Sequence, residues 1–205
     1  MSSTFIRAVA LFALALPLGA QQKRETAVVA GGCFWGIQNV FAHMKGVISA
    51  TSGYAGGKAQ TADYETVSEG RSGHAESVKI VFDPDVVSFE TLRKVFFSVA
   101  HDPTQLNRQG PDVGPQYRSV VFYGSDEQKR VTETTITQLT QSGVHKKPIV
   151  TQVVPLQGFF AAEAYHQDYA ILHPDEPYIY FNDLPKVDHL KAKFPELYRD
   201  YPVKR

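Results

Sequence analysis

The residue with the most chemistry to offer in this chain is its single cysteine. Cys33 lies in Gly31-Gly32-Cys33-Phe34-Trp35-Gly36, between an apolar run and a stretch with helical spacing. A thiol at a helix N-terminus sees the positive end of the macrodipole and free backbone N–H groups, and both favour the thiolate. An unperturbed thiol is only about 3% ionised at pH 7, so a lower pKa raises the reactive fraction directly. The two glycines let another molecule approach the sulfur. Position alone leaves a second reading open, because most free cysteines are small buried hydrophobes. Phe34 and Trp35 are open in the same way: plain core, or the wall of an apolar pocket beside a reactive sulfur. The seven histidines, at 43, 74, 101, 145, 166, 173 and 189, make no tight paired motif, so no metal site is expected.

The elements that must position Cys33 follow from pattern. Residues 26–30 read as a buried strand entering a tight turn at Gly31-Gly32. Apolar residues at 34, 37, 40, 41 and 44 predict a helix, with Gly46 just beyond. Residues 47–51 read as a strand, and 77–83 as a half-buried strand ended by Pro84. Ser88 can cap a helix over 89–99, and Ser125 a polar helix that stops at Gly143. Residues 101–116 read as a long ordered loop, of the length that is usually functional or disordered. Strands are predicted at 117–123 and 149–154, and helices at 159–169 and around 186–194. Interleaved strands and helices suggest an α+β sandwich with a mixed or antiparallel sheet.

Composition narrows the classes. The chain has 205 residues, 43% hydrophobic and 20% charged, which is globular rather than disordered. Lys plus Arg is 21 and Asp plus Glu is 21, so no global basic field favours nucleic acid. One cysteine excludes an internal disulfide and any multi-cysteine zinc or iron–sulfur site. Residues 1–20 hold one charge, Arg7, then an apolar run at 8–16 and small residues before Gln21. That is the pattern of a cleaved signal peptide, giving an exported, periplasmic or secreted protein. As a helix, residues 8–20 would reach only about 20 Å against a hydrocarbon core of about 30 Å, so no stable membrane insertion is expected. The remainder, 21–205, reads as one domain.

Cys33 does not stand alone. Gly32-Cys33-Phe34-Trp35-Gly36 resembles the signature of peptide methionine sulfoxide reductase A. The resemblance continues at Gly53-Tyr54-Ala55-Gly56-Gly57, Tyr64, Ser72-Gly73-His74-Ala75-Glu76, His101-Asp102-Pro103-Thr104-Gln105, Arg108-Gln109-Gly110, Asp112-Val113-Gly114 and Gln116-Tyr117-Arg118-Ser119. It reaches Ala162-Glu163 and Tyr165-His166-Gln167, covering roughly residues 26–182 and leaving 183–205 as a C-terminal extension. The resemblance implies a ferredoxin-like α+β core and reduction of methionine-S-sulfoxide, free or in proteins. Such a reaction needs a thiolate to attack sulfur, a proton for the departing oxygen and an apolar pocket for the S-methyl group. The resemblance gives these roles to Cys33 as nucleophile and to Glu76 as general acid. Tyr64 and Tyr117 would hold the oxygen, Phe34 and Trp35 would form the methyl pocket, and Asp112 would support the polar site.

The chain departs from the common family pattern at one point. Many members use a second cysteine to resolve the sulfenic acid as a disulfide that thioredoxin reduces, and this chain has none. An external thiol, or a thioredoxin- or glutaredoxin-like reductant, must then regenerate Cys33, with no cofactor. Over-oxidation of Cys33 is expected when reductant is scarce. A monomer is expected, and the extension reads as a helix packed on the core with a solvated charged face. Two other classes stay in play: a cysteine hydrolase with His74 or His166 as base, and a non-catalytic module that binds apolar peptides.

Overall fold

Six strands form the sheet that carries the site, and their order follows from which faces can be buried. The computed structural model describes residues 23–201; the stretch 1–20, expected to be a signal peptide, lies outside them. Strand β1 (Glu25–Ala30) is exposed over its first two residues and buried over the last four. It leads through Gly31-Gly32 into helix α1 (Phe34–Ala42). Strands β2 (Val47–Ala55) and β3 (Ala75–Phe82) follow, joined through the short helix α2 (Tyr64–Ser68). Helix α3 (Phe89–Val95) runs into a π turn at Phe96–Ala100. A two-residue hairpin, β4 (Arg108–Gln109) with β5 (Asp112–Val113), precedes strand β6 (Val120–Tyr123). The chain closes with α4 (Asp126–Ser142), β7 (Gln152–Pro155), β8 (Phe159–Ala161), α5 (Tyr169–Leu172), α6 (Pro177–Asn182) and α7 (Leu184–Lys193).

The sheet order is β7-β6-β1-β3-β2-β8. Its four central strands pair antiparallel, and β7 joins β6 in parallel, so the sheet is mixed. The core β1-α1-β2-β3-α3-β6, with β1 and β3 in the middle, is the ferredoxin-like arrangement expected from the resemblance. Alternation sorts the two faces. Val78, Ile80 and Phe82 of β3 join Ala27 and Val29 of β1 under Ile37, Val40 and Phe41 of α1 and Leu92 and Phe96. Val28, Ala30, Ala55, Ala75, Val120 and Phe122 form a smaller apolar strip on the opposite face.

The local signals act as their chemistry dictates. Ser88 accepts from Thr91 N–H and Ser125 from Gln128 N–H, each cap contributing about 1 kcal/mol. Gly143 ends α4 at φ 66°, the left-handed conformation that favours glycine.

Several sequence expectations are corrected. Residues 159–169 are not one helix: Phe159–Ala161 pairs with Gly53–Ala55 at the sheet edge, and a 3₁₀ turn follows at Ala164–His166. Gly53 makes this possible, because a Cβ there would overlap the Phe160 carbonyl. The sheet edge outcompetes the local helical spacing. Strand 117–123 starts only at Val120, since Pro115–Tyr117 is a 3₁₀ turn. The strand at 149–154 is shifted to Gln152–Pro155, its register set by the parallel partner β6. The helix expected over 89–99 ends at Val95, where the π turn takes over. The extension packs on the core as a helix, as expected. Leu190 of α7 is fully buried in the main core, and Asp183 is fully buried beside α1.

Candidate active site

Cys33 sits where β1 hands over to α1. Gly32 adopts φ +102°, and a Cβ there would lie 2.6 Å from the Gln109 Cβ, so only glycine fits the turn. Cys33 is the N-cap residue of α1, with φ −54° and ψ 127°, yet its side chain makes no cap hydrogen bond. Glu76 does that work from the neighbouring strand. It shares the helix-facing side of β3 with Val78 and Ile80, and its Oε2 accepts the Phe34 N–H at 3.0 Å. A carboxyl from β3 and the thiol from the β1–α1 turn thus meet at one helix end.

Burial dominates the electrostatics there. Glu76 is 2% exposed. Its carboxyl is pushed up to about 8 by burial, with Asp112 and Asp183 adding to the rise and the Phe34 N–H opposing it. Glu76 is therefore mostly a neutral carboxylic acid at pH 7. Burial also pushes the Cys33 thiol well up, and the charges of Glu76 and Asp183 push the same way. The Trp35 N–H and Lys186 pull it down but do not prevail. The helix-end effect expected from position is present, and desolvation outweighs it.

The other sequence-derived residues converge on the same place. Burial raises both Tyr64 and Tyr117, and both phenols also feel the charges of Glu76 and Cys33. Tyr117 comes from the 3₁₀ turn after β5, one residue past the loop read over 101–116 and at the start of the strand expected over 117–123. Phe34 is fully buried, its ring 5.0 Å from His166 and 5.9 Å from Tyr54. Trp35 is half-buried and stacks on Tyr169 at 4.1 Å. Asp112 accepts a hydrogen bond from Tyr178 Oη at 2.6 Å.

Four site residues escaped sequence reasoning, and a fifth, His166, was weighed only as a hydrolase base. Glu163 accepts from Tyr54 Oη at 2.8 Å and from the Tyr64 N–H at 3.0 Å, fixing the turn that carries Tyr64. His166 accepts from Trp35 Nε1 at 3.2 Å and orients the indole. Both lie in motifs already singled out, which was the available signal. Tyr178, Asp183 and Lys186 come from the C-terminal segment, where nothing in the local pattern marks them. The charged face expected to be solvated turns Asp183 and Lys186 inward.

That packing makes Gly36 a sensitive position. A Cβ there would overlap Asp183 Oδ1 and lie 2.6 Å from Lys186 Nζ. Gly36→Ala is expected to cost about 1–3 kcal/mol in urea unfolding by overpacking, with a matching fall in turnover. Unchanged stability and turnover would show that the C-terminal segment yields freely.

The histidines proposed for a hydrolase are otherwise engaged. His74 Nδ1 accepts from the Gly57 N–H at 3.2 Å, and Nε2 lies 3.0 Å from the Lys58 carbonyl. His166 Nδ1 takes the Trp35 proton, and its Nε2 points towards Glu163, 4.0 Å away. Neither ring hydrogen-bonds Cys33. Among the described residues no group of three or more His, Cys, Asp or Glu is placed to hold a metal ion, and no helix is long and apolar enough to cross a membrane.

A lone thiol beside a protonated carboxyl and two phenols suits transfer of oxygen off a substrate better than acyl transfer. On this ferredoxin-like frame, the class of protein is an oxidoreductase. Comparison with known proteins carries this further. The family described as peptide methionine sulfoxide reductase matches residues 25–198. Peptide methionine sulfoxide reductase MsrA 2 of Mesorhizobium japonicum is 55% identical over 179 residues, covering 87% of this chain and 92% of the relative. Peptide methionine sulfoxide reductase MsrA of Thermus thermophilus is 45% identical over 175 residues, covering 85% and 98%. Among solved structures, methionine sulfoxide reductase A of Corynebacterium diphtheriae superposes with a TM-score of 0.66 at 33% identity, covering 75% of this chain and 77% of the other. Reduced Mxr1 of Saccharomyces cerevisiae gives a TM-score of 0.68 at 30% identity, covering 74% and 87%. The chain belongs to the peptide methionine sulfoxide reductase family and is an oxidoreductase that converts methionine sulfoxide to methionine.

Proposed function

We propose that the chain reduces the S epimer of methionine sulfoxide through a sulfenic acid on Cys33, and that external thiols return the enzyme to its starting state. The observation that carries this reading is the Glu76 carboxyl, buried at the end of α1 beside Cys33 and raised to about 8. The Cys33 thiolate attacks the sulfoxide sulfur. Glu76 Oε2 is taken up by the Phe34 N–H, which leaves Oε1 to deliver a proton to the sulfoxide oxygen. Tyr64 and Tyr117 hold that oxygen, and their raised phenols stay protonated as donors. Phe34 and Trp35 take the S-methyl group, and Asp112 steadies the polar side through Tyr178. The S–O bond breaks, the oxygen passes to Cys33 as a sulfenic acid, and methionine leaves.

Cys33 is the only cysteine, so resolution comes from outside the chain. One thiol displaces water from the sulfenic acid and forms a mixed disulfide. A second thiol attacks that disulfide, releasing Cys33 and an external disulfide. The reductant is a small thiol or a thioredoxin- or glutaredoxin-like protein. Export is part of the same reading, supported by the apolar run at 8–16 behind Arg7, and would make the substrates oxidised exported proteins.

The test mixes pre-reduced, thiol-free protein with separate S and R epimers of a blocked methionine sulfoxide and dimedone, a sulfenic-acid trap. Mass spectrometry should find one adduct on Cys33 and about one equivalent of methionine, for the S epimer alone. No adduct and no methionine from folded protein would overturn the reading.

A further inference from the structure

The C-terminal segment carries an ion pair that the proposed chemistry has not yet used. Asp183, where α6 meets α7, is fully buried. Its Oδ1 accepts from Lys186 Nζ at 3.0 Å, and its Oδ2 is buried without a hydrogen-bond partner among the described residues. The pair presses on the first turn of α1, as the absence of room at Gly36 records. Gly36 is three residues past Cys33, so the ammonium and the thiol address the same helix end. Tyr178, from the preceding α6, reaches Asp112 on the far side of the same cluster.

The charges around this pair have a definite pattern. Cys33, Glu76, Asp112 and Asp183 are all acids held in partial or complete burial, and they press on one another. His101, behind Gly31, is buried and kept neutral. Lys186 is the cation that acts on Cys33, Asp112 and Asp183 alike. A buried ion pair is a poor way to stabilise a fold, because desolvation offsets the attraction. An ammonium held 3.0 Å from its anchor and against the turn after a reactive thiol has a chemical use.

We propose that Lys186 is a positioning residue for the reaction at Cys33: Asp183 anchors its ammonium over the first turn of α1, where it stabilises negative charge on the Cys33 sulfur. This rests on the proposed reading for both the attack by Cys33 and its recycling by external thiols. The ammonium then serves twice. It supports the thiolate that attacks the sulfoxide sulfur. It also supports the same thiolate as leaving group when a second external thiolate attacks the mixed disulfide, a step in which the new S–S bond forms on the external sulfur and the Cys33 S–S bond breaks. A better stabilised thiolate leaves faster. Asp183 has two opposed effects. It places Lys186, and its own charge disfavours the thiolate.

That opposition gives the test a signature. The full, reduced chain is alkylated with iodoacetamide across pH and followed by intact mass. Every adduct reports Cys33, the only cysteine. Lys186→Met is expected to slow alkylation at a fixed pH by about tenfold, the equivalent of one pK unit. Lys186→Arg should restore most of the rate. Asp183→Asn should speed alkylation, because the opposing charge is gone while the ammonium remains. Mere loosening of the C-terminal segment would speed both Lys186→Met and Asp183→Asn. Equal or same-direction effects would overturn the proposal. If Lys186→Met does not fold, Lys186→Gln and Asp183→Asn carry the same comparison, and an Asp183→Asn rate at or below the wild-type rate overturns it. Alkylation needs no sulfoxide, so a failed dimedone trap with an intact charge signature would count against the reductase mechanism and not against Lys186.

Discussion

Cys33→Ser will abolish methionine formation, by a factor on the order of 10³–10⁶ in turnover, the range seen when a nucleophile is removed from an otherwise intact site. The substitution is close to isosteric, so circular dichroism and thermal melting should find the fold intact. A hydroxyl cannot serve, because it is far less acidic than a thiol and an alkoxide at sulfur gives no sulfenic acid to be reduced. The same variant removes every thiol from the chain, so its dimedone and alkylation signals must both be zero. Its counterpart is the wild-type enzyme given sulfoxide and peroxide but no reductant. There, with no second cysteine to intercept the sulfenic acid, Cys33 should advance to the sulfinic acid, visible as two added oxygens. Residual turnover of Cys33→Ser above about one part in a hundred would move the nucleophile elsewhere.

Glu76→Gln should lower kcat by about 10²–10⁴-fold, the usual contribution of a general acid. Gln keeps an oxygen for the Phe34 N–H but has no proton to give at Oε1. The pH profile separates loss of acid from loss of shape. With the Glu76 carboxyl near 8, wild-type turnover should fall as pH rises through about 8 and the acid ionises. The variant's small residual rate should lack that alkaline limb. The substitution should affect stability in the opposite sense to activity. The folded carboxyl titrates far above the ordinary value of 4.5, so the unfolded state releases its proton first. The stabilising contribution of neutral Glu76 is thus complete below about 4.5 and is lost as pH rises towards 8. Glu76→Gln removes this titration, so it should melt higher than the wild type at pH 8. Full activity in Glu76→Gln, or a wild-type profile flat through pH 9, would remove Glu76 from the proton-delivery role.

Much of this site was legible in the chain itself. The strand, glycine turn and helix around Cys33 follow from apolar spacing and from residues that only a tight turn needs. The caps at Ser88 and Ser125 and the stop at Gly143 are local chemistry and stand where the residues put them. The motif set brought Glu76, Tyr64, Tyr117 and Asp112 forward as partners, and the fold places the other three within electrostatic reach of Glu76. Glu163 lay in a motif with no visible task, and His166 was weighed only as a hydrolase base, because each acts through a contact about a hundred or more residues away.

What the sequence alone determined is the inventory: one thiol, no second cysteine to pair with it and an α+β alternation of elements, to which the family resemblance added a ferredoxin-like core and the residues that could protonate an oxygen. What only the tertiary structure decided is their state. Whether Phe159–Ala161 became helix or strand depended on the free edge of β2 and the bare backbone of Gly53. Whether Glu76 is an acid or a carboxylate depended on how completely the sheet, α1 and the C-terminal segment exclude water from it. Whether Lys186 belongs to the surface or to Cys33 depended on where α7 docks. Local pattern sets backbone preference over a few residues, whereas ionisation is set by desolvation and charge summed over every element that closes around the group.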